Sequence, residues 1–160
     1  MLLVKDTRHR IFGGIAMESW HLSSEHYYGT GESFLFAFKK PVDPQNPQEQ
    51  EHQRNRLTVY PWTTADDYFQ SGRDDGIILG GGTQFGLYLD ADFLEGHTGS
   101  CSTFGNQPLT GTEEEDFVCQ VFECWGFESE ISFVPHRLGE DSSSRLFGTT
   151  PPVRSFRGRS

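Results

Sequence analysis

Between Phe34 and Phe38 phenylalanine occupies every second position, and Leu35 and Ala37 fill the alternate ones. Alternate side chains on an extended chain point to opposite faces, so this segment reads as a strand apolar on both sides. The pattern reaches back to Tyr27, and a strand with two apolar faces belongs between covering layers, centrally in its sheet. Leu2-Leu3-Val4 predicts a first strand ending near Asp6-Thr7. Ile11 leading into Phe12-Gly13-Gly14 supplies its hairpin partner, with the turn around His9-Arg10. Leu57 to Trp62 resumes the pattern, and Ile77-Ile78-Leu79 and Phe85 to Leu89 flank a glycine turn as a further hairpin. Val118 to Phe127 predicts a final strand, with Cys119 and Cys124, an odd number apart, on its two faces. Ile131 to Val134 predicts an added edge strand.

Short strands at this spacing with little helical periodicity predict a mainly β (α+β) fold. The expected form is a two-layer antiparallel β-sandwich with short peripheral helices around 66–72 and 112–117. Residues 41–56, PVDPQNPQEQEHQRNR, hold three prolines and no large aliphatic residue besides Val42, so they predict a disordered or protruding insertion. Ser142-Ser143-Ser144, Pro151-Pro152 and scattered arginines mark 136–160 as an extended tail. One domain over 1–135 followed by that tail is the expected organisation.

Glycine punctuates the aromatic blocks at Gly13, Gly14, Gly29, Gly31, Gly80, Gly81, Gly82, Gly105 and Gly126. These read as structural positions, where the chain turns sharply or two backbones approach too closely for a Cβ. Gly80-Gly81-Gly82 is not a phosphate loop, because Thr83-Gln84-Phe85 leads into a strand rather than a helix carrying Lys and Ser or Thr. The chain carries 14 phenylalanines, so its core reads as phenylalanine-built, and Trp20, Trp62 and Trp125 read as core or rim aromatics.

Thirteen basic and 23 acidic side chains leave a formal charge of −10 over 160 residues. The imbalance is regional. Residues 1–135 hold eight basic and 21 acidic side chains; residues 136–160 hold five arginines against Glu140 and Asp141. An acidic body argues against nucleic-acid binding. No run of 18 apolar residues is present, so no transmembrane segment is expected. Three cysteines without a CxxC pair fit a reduced intracellular, cytoplasmic setting, at most against an organelle surface or the cytoskeleton.

Candidate chemistry is sparse. Ser33 lacks the GxSxG context of a nucleophile elbow. Glu32 and Asp90 are acidic residues embedded in the strongest blocks, and convergence would make them an acid–base pair or an ion site. Cys101, in a Gly/Ser loop near His97, is the candidate reactive thiol. The spacings of His97, Cys101, Cys119 and Cys124 do not match a zinc site, and no cofactor motif stands out. No catalytic residue is assigned.

The blocks occur in a characteristic order: Leu3-Val4-Lys5-Asp6-Thr7, Phe12-Gly13-Gly14, Tyr28-Gly29-Thr30-Gly31-Glu32-Ser33-Phe34-Leu35-Phe36, Gly80-Gly81-Gly82, Leu87-Tyr88-Leu89-Asp90, Cys101-Ser102-Thr103-Phe104-Gly105-Asn106, and Glu123-Cys124-Trp125-Gly126-Phe127. Over residues 1–128 this chain resembles the TLDc domain family of oxidation-resistance proteins. The resemblance implies two packed antiparallel sheets with peripheral helices, protection against oxidative stress, and protein partners that in several members are subunits of the vacuolar-type proton-pumping ATPase. It implies no accepted reaction. The resemblance also implies a helical segment ahead of the LLVKDT-like strand, so apolar sheet surface for a neighbour to fill is expected here. Two other readings stay open at this point: a structural component of a large cytoskeletal or axonemal assembly, and a hydrolase or thiol-based redox enzyme using Glu32, Asp90 or Cys101.

Overall fold

The computed structural model describes residues 1–39, 56–111, 114–127 and 155–157. Its strands are β1 (Leu2–Asp6), β2 (Ile11–Ile15), β3 (Phe34–Lys39), β4 (Arg56–Pro61), β5 (Gln70–Arg73), β6 (Gly76–Leu79), β7 (Leu87–Asp90), β8 (Glu95–His97), β9 (Asp116–Trp125) and β10 (Ser155–Arg157). The fold is mainly β, as the alternation predicts. Every ladder is antiparallel, in the order β4-β3-β2-β1-β9-β8-β7-β6-β5, with β10 also on β9.

Where two separate sheets were expected, hydrogen bonding makes one continuous path, and β9 is the reason. Its residues 116–118 pair with β8, and the stretch from Cys119 to Cys124 pairs with β1 on the opposite edge. The two halves meet across a shared core. Leu35 of β3 and Leu79 of β6 both reach the space above Gly14, within 3 Å of where a Cβ would stand. Phe12 of β2 meets Phe117 of β9 edge to face, centroids 4.9 Å apart. Leu2, Val4, Phe12, Leu35, Leu79, Leu87 and Leu89 are buried in one cluster. Each such side chain stabilises the fold by roughly 1.5–3 kcal/mol relative to exposure.

The β1–β9 register shifts at Asp6. Lys5 opposes Val121 while Asp6 opposes Cys119, leaving Gln120 as an extra residue. Such a bulge resets the alternation. Phe117 and Cys119 point to the core before it, and Phe122 and Cys124 after it. The expectation that Cys119 and Cys124 face opposite sides is therefore corrected: both pack on the core, and Val118 and Val121 are exposed. Asp6 sits at the same point, fully buried. Its carboxylate accepts the amides of Arg8 (3.0 Å) and Arg10 (2.7 Å) and the Arg10 guanidinium, and so closes the β1–β2 turn around His9, whose φ is 62°.

Three further expectations change. The strand predicted from Tyr27 begins at Phe34, and it lies second from the sheet edge rather than centrally. Helices expected at 66–72 and 112–117 do not form in the described parts of those stretches. There, 66–69 is loop, Gln70 opens β5 and Asp116 opens β9. Strands β5 (QSGR) and β8 (EGH) were missed, being polar and without alternation. The insertion at 41–56 (apart from Arg56, which opens β4), the edge strand at 131–134, and the tail apart from 155–157 lie outside the described residues.

Candidate functional site

Three loops close one end of the sheet, and Asp66 ties them together. One Asp66 oxygen accepts the Ser102 hydroxyl; the other accepts the Thr103 hydroxyl (2.6 Å) and the Tyr68 amide (3.2 Å). The Thr103 oxygen in turn receives the Gly81 amide at 3.0 Å. Trp62 donates its ring N–H to the Asp66 carbonyl at 2.7 Å, and Thr63 bonds the carbonyls of Ser102 and Thr103. Burial alone would push the Asp66 carboxyl up, but these three donors outweigh it and hold the group below its usual value.

The glycine turn fits into this arrangement because side chains occupy the space a Cβ would need. Gly80, at φ 77°, leaves room for the Cys101 sulfur and the Phe104 ring, 2.7 and 2.8 Å from an added Cβ. No residue with a Cβ adopts that backbone beside those neighbours without strain. Gly126 is different: no described residue lies within 4 Å of an added Cβ, so packing among the described residues gives no reason for glycine there.

Cys101, the candidate reactive thiol, is enclosed beneath this turn. It is 4 % exposed and donates to the Asn106 side-chain oxygen at 3.0 Å. Burial, aided by the Asp66 charge, pushes its thiol up, against weaker hydrogen bonds that lower it. A protonated, enclosed thiol is the opposite of the exposed thiolate that redox chemistry uses.

Glu32 and Asp90 do not meet. Glu32 is exposed in the turn before Phe34, at the end of the sheet where Phe34 opposes Ile15. The Thr30 hydroxyl and its own backbone amide hold its carboxyl below the usual value. Asp90 ends β7 and lines an open cleft of about 610 Å³ with Thr7, Arg8 and Arg10, which come from the other end of the β1–β2 hairpin. There its side chain accepts the amides of Leu94 (2.8 Å) and Glu95 (3.2 Å), closing the β7–β8 turn. Ser33 is buried and accepts the Met17 amide.

The same cleft holds His97, which the sequence marked only as a neighbour of Cys101. Its Nδ1 lies 2.8 Å from an Asp116 oxygen and its Nε2 3.8 Å from Glu115. Both ring nitrogens face carboxylates, neither faces a hydroxyl or thiol among the described residues, and Cys101 lies beneath Gly80 instead. Arg8 and Arg10 reach Glu114 across the cleft. Among the described residues no group of three His, Cys, Asp or Glu is placed to hold a metal ion. The residues that matter most here, Asp6 and Asp66, were not singled out from sequence. Their one signal was position, an acid immediately before a polar turn.

A model of the TLDc domain matches residues 1–128. Nuclear receptor coactivator 7 of Mus musculus is 39 % identical over 129 residues, and that of Homo sapiens 38 %. Oxidation resistance protein 1 of Xenopus laevis is 36 % identical over 129 residues. Each alignment covers 80 % of this chain but only 12–13 % of the much longer relative. The chain belongs to the TLDc domain family.

Proposed function

We propose that this chain is a non-enzymatic protein-interaction module serving oxidative-stress protection, through regulation of the vacuolar-type proton-pumping ATPase. The family match and the relatives named for oxidation resistance support the stress context. The observation that carries the non-enzymatic part is the use of each candidate group. Asp90 caps a turn, Glu32 caps its own turn at the opposite end, and the Cys101 thiol is enclosed. Groups committed to backbone amides support a shape rather than a reaction.

The test has two arms. Purified chain incubated with the purified peripheral sector of the pump should co-sediment with it and change its ATP hydrolysis; no binding removes the pump from the reading. In cells lacking their own TLDc proteins, the chain and its Cys101→Ser variant should protect equally against peroxide. Loss of protection in the variant alone would establish thiol chemistry and sink the non-enzymatic reading.

A further inference from the structure

Strand β9 is filled along one edge and only partly along the other. Trp125 exchanges backbone hydrogen bonds with Met1 (2.7 and 2.8 Å), and β1 follows the same edge back to Cys119. On the other edge β8 pairs with residues 116–118, and the Cys119 amide reaches the Leu94 carbonyl at 2.7 Å. The β8 half then departs, and β10 takes up this edge at Glu123 to Trp125. Between them, at Gln120 to Phe122, no described strand pairs with it. Backbone groups turn to alternate edges along a strand, so with Trp125 committed to β1 those of Cys124 and Phe122 face this second edge.

Register states what such an edge selects. Ser155 opposes Trp125, Phe156 opposes Cys124 and Arg157 opposes Glu123. Residues opposed in a ladder share a face. Phe122 and Cys124 pack on the core, Phe122 stacking on Phe93 at 4.4 Å, so positions set against them lie on the core side and take apolar residues. Glu123 lies between them, on the other face, where an opposed cation meets a carboxylate. Net charge points the same way: residues 1–135 hold 21 acidic and eight basic side chains, and residues 136–160 hold five arginines against Glu140 and Asp141. The tail is an incomplete fit. Strand β10 has three residues, and after Arg157 the sequence gives Gly158, Arg159 and Ser160, with no apolar side chain beyond Phe156.

We propose that the β9 edge from Gln120 to Trp125 is a strand-docking site, held by the chain's own tail, that takes in exchange an extended segment of a partner protein reading apolar–Arg–apolar. The inference rests on the interaction-module reading and assigns its surface. The first apolar residue is set against Cys124, the arginine against Glu123 and the second apolar residue against Phe122. Backbone pairing supplies the affinity, as in other strand additions, and the alternate side chains supply the choice of partner. The tether through residues 126–154 presents β10 at an effective concentration on the order of millimolar or less. A partner strand displaces it by pairing on to Gln120 and by the apolar residue that the tail lacks.

The probe is a synthetic peptide, Arg-Ser-Phe-Arg-Val-Arg-Ser, titrated into the full isotope-labelled chain and followed by NMR. The amides of Phe122 and Cys124 should shift. Replacing the arginine after Phe with glutamate should weaken binding at least about tenfold, and salt above ~0.5 M should shrink that difference. In the full chain Phe156→Pro removes the tail amide opposite Cys124. Without peptide its Cys124 amide should exchange faster, and with peptide it should bind at least about tenfold more tightly than the unaltered chain. Should that variant fail to fold, Arg157→Glu serves instead, setting like charges opposite one another. Equal affinity of the unaltered and altered chains, equal affinity for the arginine and glutamate peptides, shifts away from β9, or no binding at all overturns the proposal. So do concentration-dependent shifts of these amides without peptide, which would make a second copy's tail the occupant. Pump binding that persists where the peptide fails to bind sinks this surface alone, whereas peptide binding without pump binding upholds the surface and removes only the pump.

Discussion

Strands β5 and β4 end the same sheet at opposite sides, and the chain finishes them in different ways. Along β5 a strap from His21 to Tyr28 takes up the free backbone groups. Tyr28 exchanges both backbone hydrogen bonds with Gln70 (2.9 and 3.0 Å), Leu22 bridges Gly72, and the Ser23 amide donates to the Gly72 carbonyl at 2.8 Å. The strap turns through Ser24 and Glu25 at φ 47° and 72°, a left-handed conformation that costs non-glycine residues energy. Along β4 no described residue pairs with the outer edge, and the strand itself begins with Arg56 and ends with Pro61, residue types that discourage stray pairing. The chain accepts strain to close one edge and leaves the other beside the half-exposed Leu57 and Val59. An edge closed by its own strap has its backbone groups paired, whereas the β4 edge is left unpaired among the described residues.

Gly72 is where this contrast breaks most easily. A Cβ at that position would run into the His21 carbonyl, which is backbone and cannot rotate away. Gly72→Ala should destabilise by roughly 1–3 kcal/mol, the usual range for overpacking, seen as a lower denaturant midpoint. The amides of Tyr28 and Gln70 should exchange faster while those of β3 stay protected. A neutral Gly72→Ala variant would mean that the strap merely lies over β5.

The opposite edge gives the smaller effect. Leu57→Thr and Val59→Thr keep β-branched or strand-compatible side chains at half-exposed positions, so each should change stability by no more than about 0.5 kcal/mol. A cost of several times that would show that these side chains are buried by something in the free chain, and the two edges would cease to differ.

The sequence revealed one class of feature well and another badly. Apolar alternation located β1 to β4, β6, β7 and β9, since burial of one face leaves a period-two trace. It misplaced β3 as central because Phe34, Phe36 and Phe38 give the same pattern in any strand with two apolar faces, whatever its place in the sheet. Parity failed at Cys119, where one extra residue at Gln120 resets every later face. Strands β5 and β8 carry Gln70-Ser71-Gly72-Arg73 and Glu95-Gly96-His97, whose place comes from neighbours rather than from their own side chains. Asp66 escaped notice for a related reason: its partners Ser102 and Thr103 lie 36 and 37 residues away. Glu32 and Asp90 drew attention by their blocks, and their separation depends on the path of β7, which no local pattern records.

The smallest effect separates the halves by their thiols. Cys101 belongs to the loops over the β5–β8 half and is 4 % exposed, whereas Cys124 pairs opposite Leu2 and is only partly buried. Under native conditions an alkylating reagent should modify Cys124 first. Cys101 should lag by at least about tenfold, the factor that ~1.4 kcal/mol of opening free energy supplies. Burial raises the thiols of both Cys101 and Cys119, so the folded state prefers their protonated form. That preference contributes fully below the unfolded thiol pKa of about 8.5 and is lost as pH climbs through the higher folded values. The thermal midpoint should therefore decline above about pH 8.5, and Cys101→Ala should decline less steeply even if it starts lower. An equal alkaline slope in the variant would place the sensitivity on Cys119, at the bulge where β9 passes from one half of the sheet to the other.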